Sequence, residues 1–259
     1  MKNFTWAAIG FAAIAIGAGS SRIAVAQSTC SRMAVVPLNG GAYNFQMNES
    51  NSTARECANI SGTGFTITTA NFNVPTNGAP GSYTSIYRGC HWGTCTSSNP
   101  FPIQESNIAS AATSVSFTQP PGHTDDAAYD IWFHRTSTAS GQPNGTEVMI
   151  WVNNQGAIQP FGSHAATVAI DGANYDVWTG SQSSWKIISY VAATPVTAAT
   201  NLNLLPFFQD AVSRGSLDRS SWLIDVEFGF EIWTGGQGLA ISNFSVDAAA
   251  RGPGAGPVF

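Results

Sequence analysis

Charged residues are scarce in this sequence. Asp, Glu, Lys and Arg make up 10% of its 259 residues, and its only lysines are Lys2 and Lys186. Because binding of nucleic acid phosphates needs a basic patch, this scarcity excludes nucleic acid as a partner. Ser, Thr, Asn, Gln and Gly are abundant instead. A surface of this kind suits neutral, hydroxyl-rich ligands.

The chain also lacks an apolar run long enough to cross a membrane. Residues 6–19 are apolar and small, but the run is shorter than the roughly 20 residues of a membrane-spanning helix. It follows Lys2 and precedes Ala24-Val25-Ala26, which has the A-x-A pattern of a cleavage site. We therefore expect residues 1–26 to be a secretory signal peptide, and the mature chain from Gln27 to be secreted and free of the membrane.

Cysteines are few, and none of them forms a C-x-x-C pair. The four are Cys30, Cys57, Cys90 and Cys95, and the nearest histidine, His91, stands alone. This spacing does not fit a zinc site, so we expect no metal ion, and nothing in the sequence implies an organic cofactor. In an exported chain disulfides are expected instead. Of the three possible connectivities, the local pairing 30–57 with 90–95 is the simplest.

Strand-like segments separated by turn residues recur along the chain. They are residues 42–48, 64–71, 112–118, 128–135, 166–171, 174–179, 185–192 and 238–247. Helical periodicity is limited to residues 202–215, which end in Gly215. This pattern predicts an all-β fold, a two-sheet antiparallel β-sandwich of the jelly-roll type, in one domain over residues 27–247. The Ala/Gly/Pro-rich residues 248–259 are predicted to be a disordered tail.

Two further strand-like segments, residues 146–153 and 226–233, each carry a glutamate among tryptophans. Alternate residues of a strand share a face. The shared faces comprise Glu147, Met149 and Trp151 in the first segment, and Glu227, Gly229, Glu231 and Trp233 in the second. The opposite faces are apolar, so each segment predicts a strand with one face in the core and the other lining a groove.

A third acid, Asp130, shares its strand face with Trp132 and His134. Glycoside hydrolysis needs two carboxyl groups, and a carboxyl beside a large ring tends to keep its proton. The sequence does not reveal the separation of the carboxyls, so it does not decide between retention and inversion. A single strand glutamate is usually a solvated surface residue, and any one of these tryptophans could belong to the core.

The loop closed by Cys90 and Cys95 contains His91 and Trp92. A disulfide there would hold Trp92 rigidly and could present its ring to a sugar, although the ring could equally cover the disulfide. A serine hydrolase is excluded, because the chain has no G-x-S-x-G elbow and no alternation of strands and helices.

In their order along the chain, these motifs resemble glycoside hydrolase family 12, the small secreted endo-β-1,4-glucanases. The resemblance covers nearly all of the chain after residue 26. The similar segments are the first cysteine pair, GCHWGTC (89–95), YDIWF (129–133), NGTEVMIW (144–151), GAIQPFGS (156–163) and GFEIW (229–233).

The resemblance implies a sandwich of two curved sheets with a concave substrate groove and one helix on the convex side. It also implies retaining cleavage of internal β-1,4 bonds, with Glu147 as nucleophile, Glu231 as acid/base and Asp130 orienting the nucleophile. The residues expected to bind substrate are His91, Trp92, Trp132, Met149, Trp151 and Trp233.

One departure concerns Ser50, which stands where relatives commonly have a tryptophan that stacks on a sugar. The preferred glucan therefore stays open between cellulose-like, mixed-linkage and xyloglucan chains. A non-catalytic carbohydrate-binding protein on the same fold is the alternative function. A structural envelope protein would leave the acidic, aromatic strand faces unexplained. We expect a β-glucan polysaccharide as the partner and a monomeric chain.

Overall fold

The computed structural model of the protein describes residues 27–252. The predicted signal peptide lies outside the described residues, as do residues 253–259 of the predicted tail. Within residues 27–252 no helix has the length and apolar character needed to span a membrane.

The described chain is built mainly of strands. In the first half these are β1 (Gln27–Thr29), β2 (Val35–Leu38), β3 (Tyr43–Gln46), β4 (Cys57–Ser61), β5 (Gly64–Thr69), β6 (Asn71–Asn73), β7 (Ser82–His91), β8 (Thr94–Cys95), β9 (Ile103–Gln104), β10 (Ile108–Thr118) and β11 (Thr124–His134). They continue with β12 (Thr146–Gln155), β13 (Ser163–Ile170), β14 (Ala173–Gln182), β15 (Trp185–Ala192), β16 (Ala198–Asn203), β17 (Trp222–Gly236) and β18 (Ala240–Ala250). Helix α1 spans Leu205–Ser213, and 3₁₀ turns lie at Asn39–Gly41 and Glu105–Asn107.

The strands form two sheets, which confirms the predicted sandwich. The larger sheet has 12 strands with the order β13-β14-β15-β12-β11-β17-β7-β3-β2, and β6, β8 and β9 pair at its side. The smaller has six, in the order β1-β4-β5-β18-β10-β16. Neighbouring strands are antiparallel except β12 and β15, which are parallel. That exception arises because residues 156–162, which connect β12 to β13, run back along the sheet, so that β13 starts in the same direction as β12.

The core lies between the two sheets and takes one face of each central strand. In β17, Phe228 and Phe230 are fully buried, as predicted from the period of two. Phe117 of β10 packs 5.3 Å from Phe228, so the two sheets meet through aromatic rings. Full burial of a side chain of this size stabilises the fold by about 1.5–3 kcal/mol. The alternate residues of β17, which include Gly229 and Glu231, lie on the opposite face.

Helix α1 packs on the face of the larger sheet that lies opposite Glu147. Phe208 contacts Phe133, and Phe207 packs 5.2 Å from Tyr190. The helix ends before Gly215, whose positive φ of 70° suits glycine and whose N–H donates to the carbonyl of Val212. Residues 202 and 203, predicted as the start of this helix, belong to strand β16 instead.

The disulfides Cys30–Cys57 and Cys90–Cys95 confirm the predicted local pairing. The predicted start of the tail at residue 248 is wrong, because β18 continues to Ala250. Ala248 pairs with Ala111 and Ala250 with Ile108 in the ladder between β18 and β10. Backbone pairing holds these alanines in the sheet although their side chains carry no strand signal.

Candidate active site

A groove crosses the face of the larger sheet that does not contact the core. It consists of two adjoining cavities of about 590 and 1160 Å³. The first, here called the Trp92 side, includes His91, Trp92 and Trp132, and the second, the Trp233 side, includes Met149, Trp151 and Trp233. Glu147 and Glu231 line both cavities, so the groove runs continuously past the two carboxyls.

Three adjacent strands supply the three acids singled out in the sequence. Glu147 lies on β12, Asp130 on β11 and Glu231 on β17, and the sheet order places β11 between the other two. Each acid points into the groove because its strand neighbours on the opposite face, such as Val148 and Ile232, are buried in the core. The alternation seen in the sequence therefore brings all three acids to one surface.

Glu147 receives a hydrogen bond from a tryptophan. The indole Nε1–H of Trp185, at the start of β15, donates to Glu147 Oε2 over 2.7 Å. Burial raises the pKa of Glu147 to about 8; the hydrogen bond from Trp185 lowers it and the charge of Glu231 adds to the rise. An indole N–H can only donate, so this contact favours the ionised form of Glu147.

Glu231 lies beside a second carboxyl, Asp126. The backbone N–H of Glu231 donates to Asp126 Oδ1 over 3.3 Å. Burial raises the pKa of Glu231, and hydrogen bonding with Asp126 opposes that rise. Burial, followed by the charge of Glu231, raises the pKa of Asp126 well above its usual range. Both shifts favour the protonated forms of this pair.

Asp130 is buried, and its Oδ1 has no hydrogen-bond partner among the described residues. Burial raises its pKa well above the usual range, and the neighbouring charge of Glu147 is the next contribution. A protonated Asp130 has a hydrogen to donate toward the groove. Within residues 27–252 no direct hydrogen bond joins Asp130 to Glu147, so the predicted orienting role stays a prediction.

The sequence suggested that His91 stands alone, but the fold places it beside two acids. His91 Nδ1 forms a very short ion pair with Glu227 and lies 3.7 Å from Asp225 Oδ2. Both acids come from β17 and are fully buried. Burial by itself lowers the pKa of His91, but the negative charges of Glu227 and Asp225 outweigh it and raise the pKa to about 10.

The donor atoms of His91, Asp225 and Glu227 lie within 4.8 Å of one another, which is close enough to hold a metal ion. The imidazolium already supplies the positive charge that these carboxylates need. Glu227 Oε2 also accepts hydrogen bonds from Gln46 and Ser85. The cluster is therefore explained as a buried ion pair with its own hydrogen bonds.

Trp92 presents its ring to the groove. Its side chain is 43% exposed, and its ring lies 4.6 Å from that of His91 and 5.0 Å from that of Trp132. The hairpin of β7 and β8, closed by the second disulfide, holds the residue at a positive φ of 44°. Trp92 therefore lines the groove wall instead of only covering the disulfide.

The other predicted binding residues form the floor. Trp151 and Trp233 are 2% and 4% exposed and pack with Ala128 and Met149 in a small apolar cluster. Trp132 is 3% exposed, and its Nε1–H has no partner among the described residues. A buried donor without a partner costs free energy, so a hydroxyl arriving in the groove would gain from accepting this hydrogen.

Ser50 lines the Trp92 side, and no ring stands at its position. The apolar surface beside it comes from Met33 and Val35, which are 63% and 41% exposed. This end of the groove thus offers aliphatic contact, with no aromatic side chain at position 50.

Trp185 and Asp126 also belong to the site, although the sequence does not single them out. Trp185 is 38 residues from Glu147 in the sequence, and its contact with Glu147 depends on the parallel pairing of β12 and β15. Asp126 could have been found from the sequence, because it is four residues before Asp130 and therefore has the same parity in the strand. The predicted strand begins at residue 128, whereas the observed strand begins at Thr124.

Comparison with known proteins gives consistent results. The family model described as glycosyl hydrolase family 12 matches residues 41–249. A metagenome-derived family 12 endoglucanase has a crystal structure with 37% identity and a TM-score of 0.84, covering 87% of this chain and 99% of that one. Endoglucanase cel12A from Rhodothermus marinus is 36% identical, with a TM-score of 0.83. The match covers 87% of this chain and 100% of that one. Probable cellulase Cel12b of Mycobacterium tuberculosis is 34% identical over 144 residues, which are 56% of this chain and 94% of that protein.

Proposed function

Because the chain belongs to glycosyl hydrolase family 12, we propose that it hydrolyses internal β-1,4 bonds of glucans by a retaining double displacement. The observation that carries the proposal is the asymmetry of the two groove carboxyls. Glu147 receives an indole hydrogen bond from Trp185, whereas Glu231 lies beside a second buried carboxyl, Asp126, whose raised pKa favours its protonated form. The indole donor orients Glu147, which supports it as the nucleophile, and the neighbouring Asp126 carboxyl can share a proton with Glu231, which supports Glu231 as the acid.

The shape of the groove supports cleavage within a chain. Cavities extend on both sides of Glu147 and Glu231, so a glucan can lie across the carboxyls with sugar units on either side. The lining mixes tryptophan rings with neutral polar groups such as Gln182 and Asn48. A neutral polysaccharide matches these groups because it offers hydroxyls together with apolar ring faces.

In the first step Glu231 gives its proton to the glycosidic oxygen as the bond to the anomeric carbon breaks. Glu147 attacks the same carbon through a carboxylate oxygen and forms a covalent glycosyl ester. Trp185 assists by orienting Glu147 and by favouring its ionised form. This geometry requires the two carboxyls to stand roughly 5–5.5 Å apart.

In the second step a water molecule enters on the side that the leaving sugar vacated. Glu231, now ionised, removes a proton from this water while the oxygen bonds to the anomeric carbon. The ester bond to Glu147 breaks, and Glu147 regains its negative charge. Two inversions at one carbon restore the original β configuration.

Asp130 and Asp126 are positioning residues in this scheme. Asp130 lies on the central strand, and its raised pKa favours the protonated form, which would donate to Glu147 once the ester bond breaks and charge returns. Asp126 holds the backbone of Glu231 through the 3.3 Å hydrogen bond. Secretion through the segment 1–26 is part of the same proposal, and the two disulfides support it because they persist in oxidising compartments.

The test is reducing-end release from soluble mixed-linkage β-glucan by the purified chain beside its Glu147→Gln variant. We expect loss of nearly all activity in the variant, since the glutamine cannot form the ester. Asp247→Asn is the matched control, because Asp247 is an exposed carboxyl on β18 of the smaller sheet. No release by the folded wild-type chain would favour the non-catalytic binding function. Full activity of Glu147→Gln would refute the assigned nucleophile.

A further inference from the structure

Five large apolar side chains are well exposed among residues 27–252: Met33, Val35, Trp92, Phe161 and Val196. Only Trp92 and Phe161 in this set are aromatic. Trp92 lines one side of the groove and Phe161 the other, with Glu147 and Glu231 between the two sides. Exposed apolar rings inside a groove are typical of ligand-binding sites.

Phe161 belongs to an anchored loop between β12 and β13. Ile158 of this loop packs against the apolar cluster that contains Trp151 and Trp233, and Pro160 is buried. Phe161 follows directly and is 49% exposed. The chain thus buries the residues before Phe161 and leaves its ring in the groove.

Two glycines allow the ring to lie where it does. A Cβ on Gly180 of β14 would stand 2.7 Å from Phe161 Cδ1, so the ring rests directly on the bare backbone of that strand. Gly162 has a φ of 98°, and a Cβ there would stand 2.2 Å from the carbonyl oxygen of Thr179. Any other residue at either position would displace the loop or the ring.

We propose that Phe161 is a stacking platform for a glucose unit of the substrate on the Trp233 side of the groove. This rests on the proposed function for its ligand class, a β-1,4-linked glucan. The apolar face of a glucose ring would lie on the phenyl ring, while Gln159, Ser181 and Gln182 on the same side offer hydrogen bonds to hydroxyls. Trp151 and Trp233 cannot take this role, since they are almost fully buried.

The platform makes binding depend on chain length. A short oligosaccharide that occupies only the centre and the Trp92 side does not reach Phe161, whereas a long one does. Removal of the ring should therefore weaken the binding of long oligosaccharides more than that of short ones. By analogy with other aromatic stacking contacts, the expected loss for the long ligand is roughly tenfold in affinity.

The experiment measures binding by calorimetry in a Glu147→Gln background, so that no ligand is consumed. The ligands are a long and a short β-1,4-linked glucose oligosaccharide. Phe161→Ala removes the ring, Phe161→Leu keeps an apolar side chain without a ring, and Phe161→Trp restores a ring. Val196→Ala is the control, because Val196 is exposed to a similar degree but lies outside both cavities.

We expect the ratio of long-ligand to short-ligand affinity to fall roughly tenfold in Phe161→Ala and Phe161→Leu, and to recover in Phe161→Trp. Val196→Ala should keep the ratio of the parent. An unchanged ratio in Phe161→Ala, or no measurable binding of either oligosaccharide by the parent, would overturn the platform. If the wild-type chain binds in this ring-dependent way but hydrolyses no glucan, the proposed function fails and the platform stands.

Discussion

The hydrogen bond from Trp185 to Glu147 makes a quantitative prediction about pH dependence. The Trp185→Phe variant removes the Nε1–H donor and keeps an aromatic ring beside Trp132, whose ring centre lies 5.8 Å away. A hydrogen bond to a charged group contributes about 1.5–3 kcal/mol. Trp185 is half-buried, so we take the lower part of this range. At 1.36 kcal/mol per pKa unit, loss of the donor should raise the pKa of Glu147 by about one unit.

The direction of the change in the pH profile follows from the protonation state that each glutamate needs. Glu147 must be ionised to attack, so its pKa sets the acidic limb of the profile of kcat/KM against pH. That limb should move to higher pH by about one unit, and activity at a fixed pH on the limb should fall about tenfold. The alkaline limb reports the protonated Glu231 and should stay in place.

The assay is β-glucan hydrolysis over a pH series at low substrate concentration. Trp222→Phe serves as the matched control, because Trp222 lies at the start of β17 and outside both cavities. An acidic limb that stays in place in Trp185→Phe would refute the reasoning. So would a uniform loss of rate with both limbs unmoved, since that indicates disturbed packing without a changed proton affinity.

Two other substitutions test the electrostatics of the fold. Glu227→Gln removes the negative charge nearest to His91, so the pKa of His91 should fall below about 10. NMR titration of the imidazole measures this pKa. Because the charge of Glu227 also raises the pKa of Glu147, the acidic limb of the same variant should move to lower pH. Burial raises the pKa of Glu56 to about 8, so its contribution to stability is present below pH 4.5 and is lost as pH rises toward 8. Glu56→Gln should therefore flatten the fall in melting temperature across this window, and an equally steep fall would contradict it.

The outline of the groove was predictable because it depends on local alternation. Glu147 with Met149, and Glu231 with Trp233, follow a period of two that survives in the folded sheet. The two disulfides were also predictable from the sequence, because each joins cysteines that are neighbours in the order along the chain.

Contacts across long sequence separations were not predictable. His91 and Glu227 are 136 residues apart, and only the pairing of β7 with β17 brings them together. Strand β7 itself was missed, because residues from Ser82 to His91 are mostly small or polar and nearly all are buried, which erases the alternation. The contact between Trp185 and Glu147 depends in turn on a parallel strand pair within a mainly antiparallel sheet.

The central claim is the retaining mechanism with Glu147 and Glu231 on opposite sides of the scissile bond. Its most direct test is proton NMR of the first products formed from a soluble β-1,4-glucan oligosaccharide, before mutarotation scrambles the anomers. The account predicts that the newly formed reducing end appears first as the β anomer and only later equilibrates. Initial appearance of the α anomer would show a single displacement by water and would contradict the assignment of Glu147 as a nucleophile.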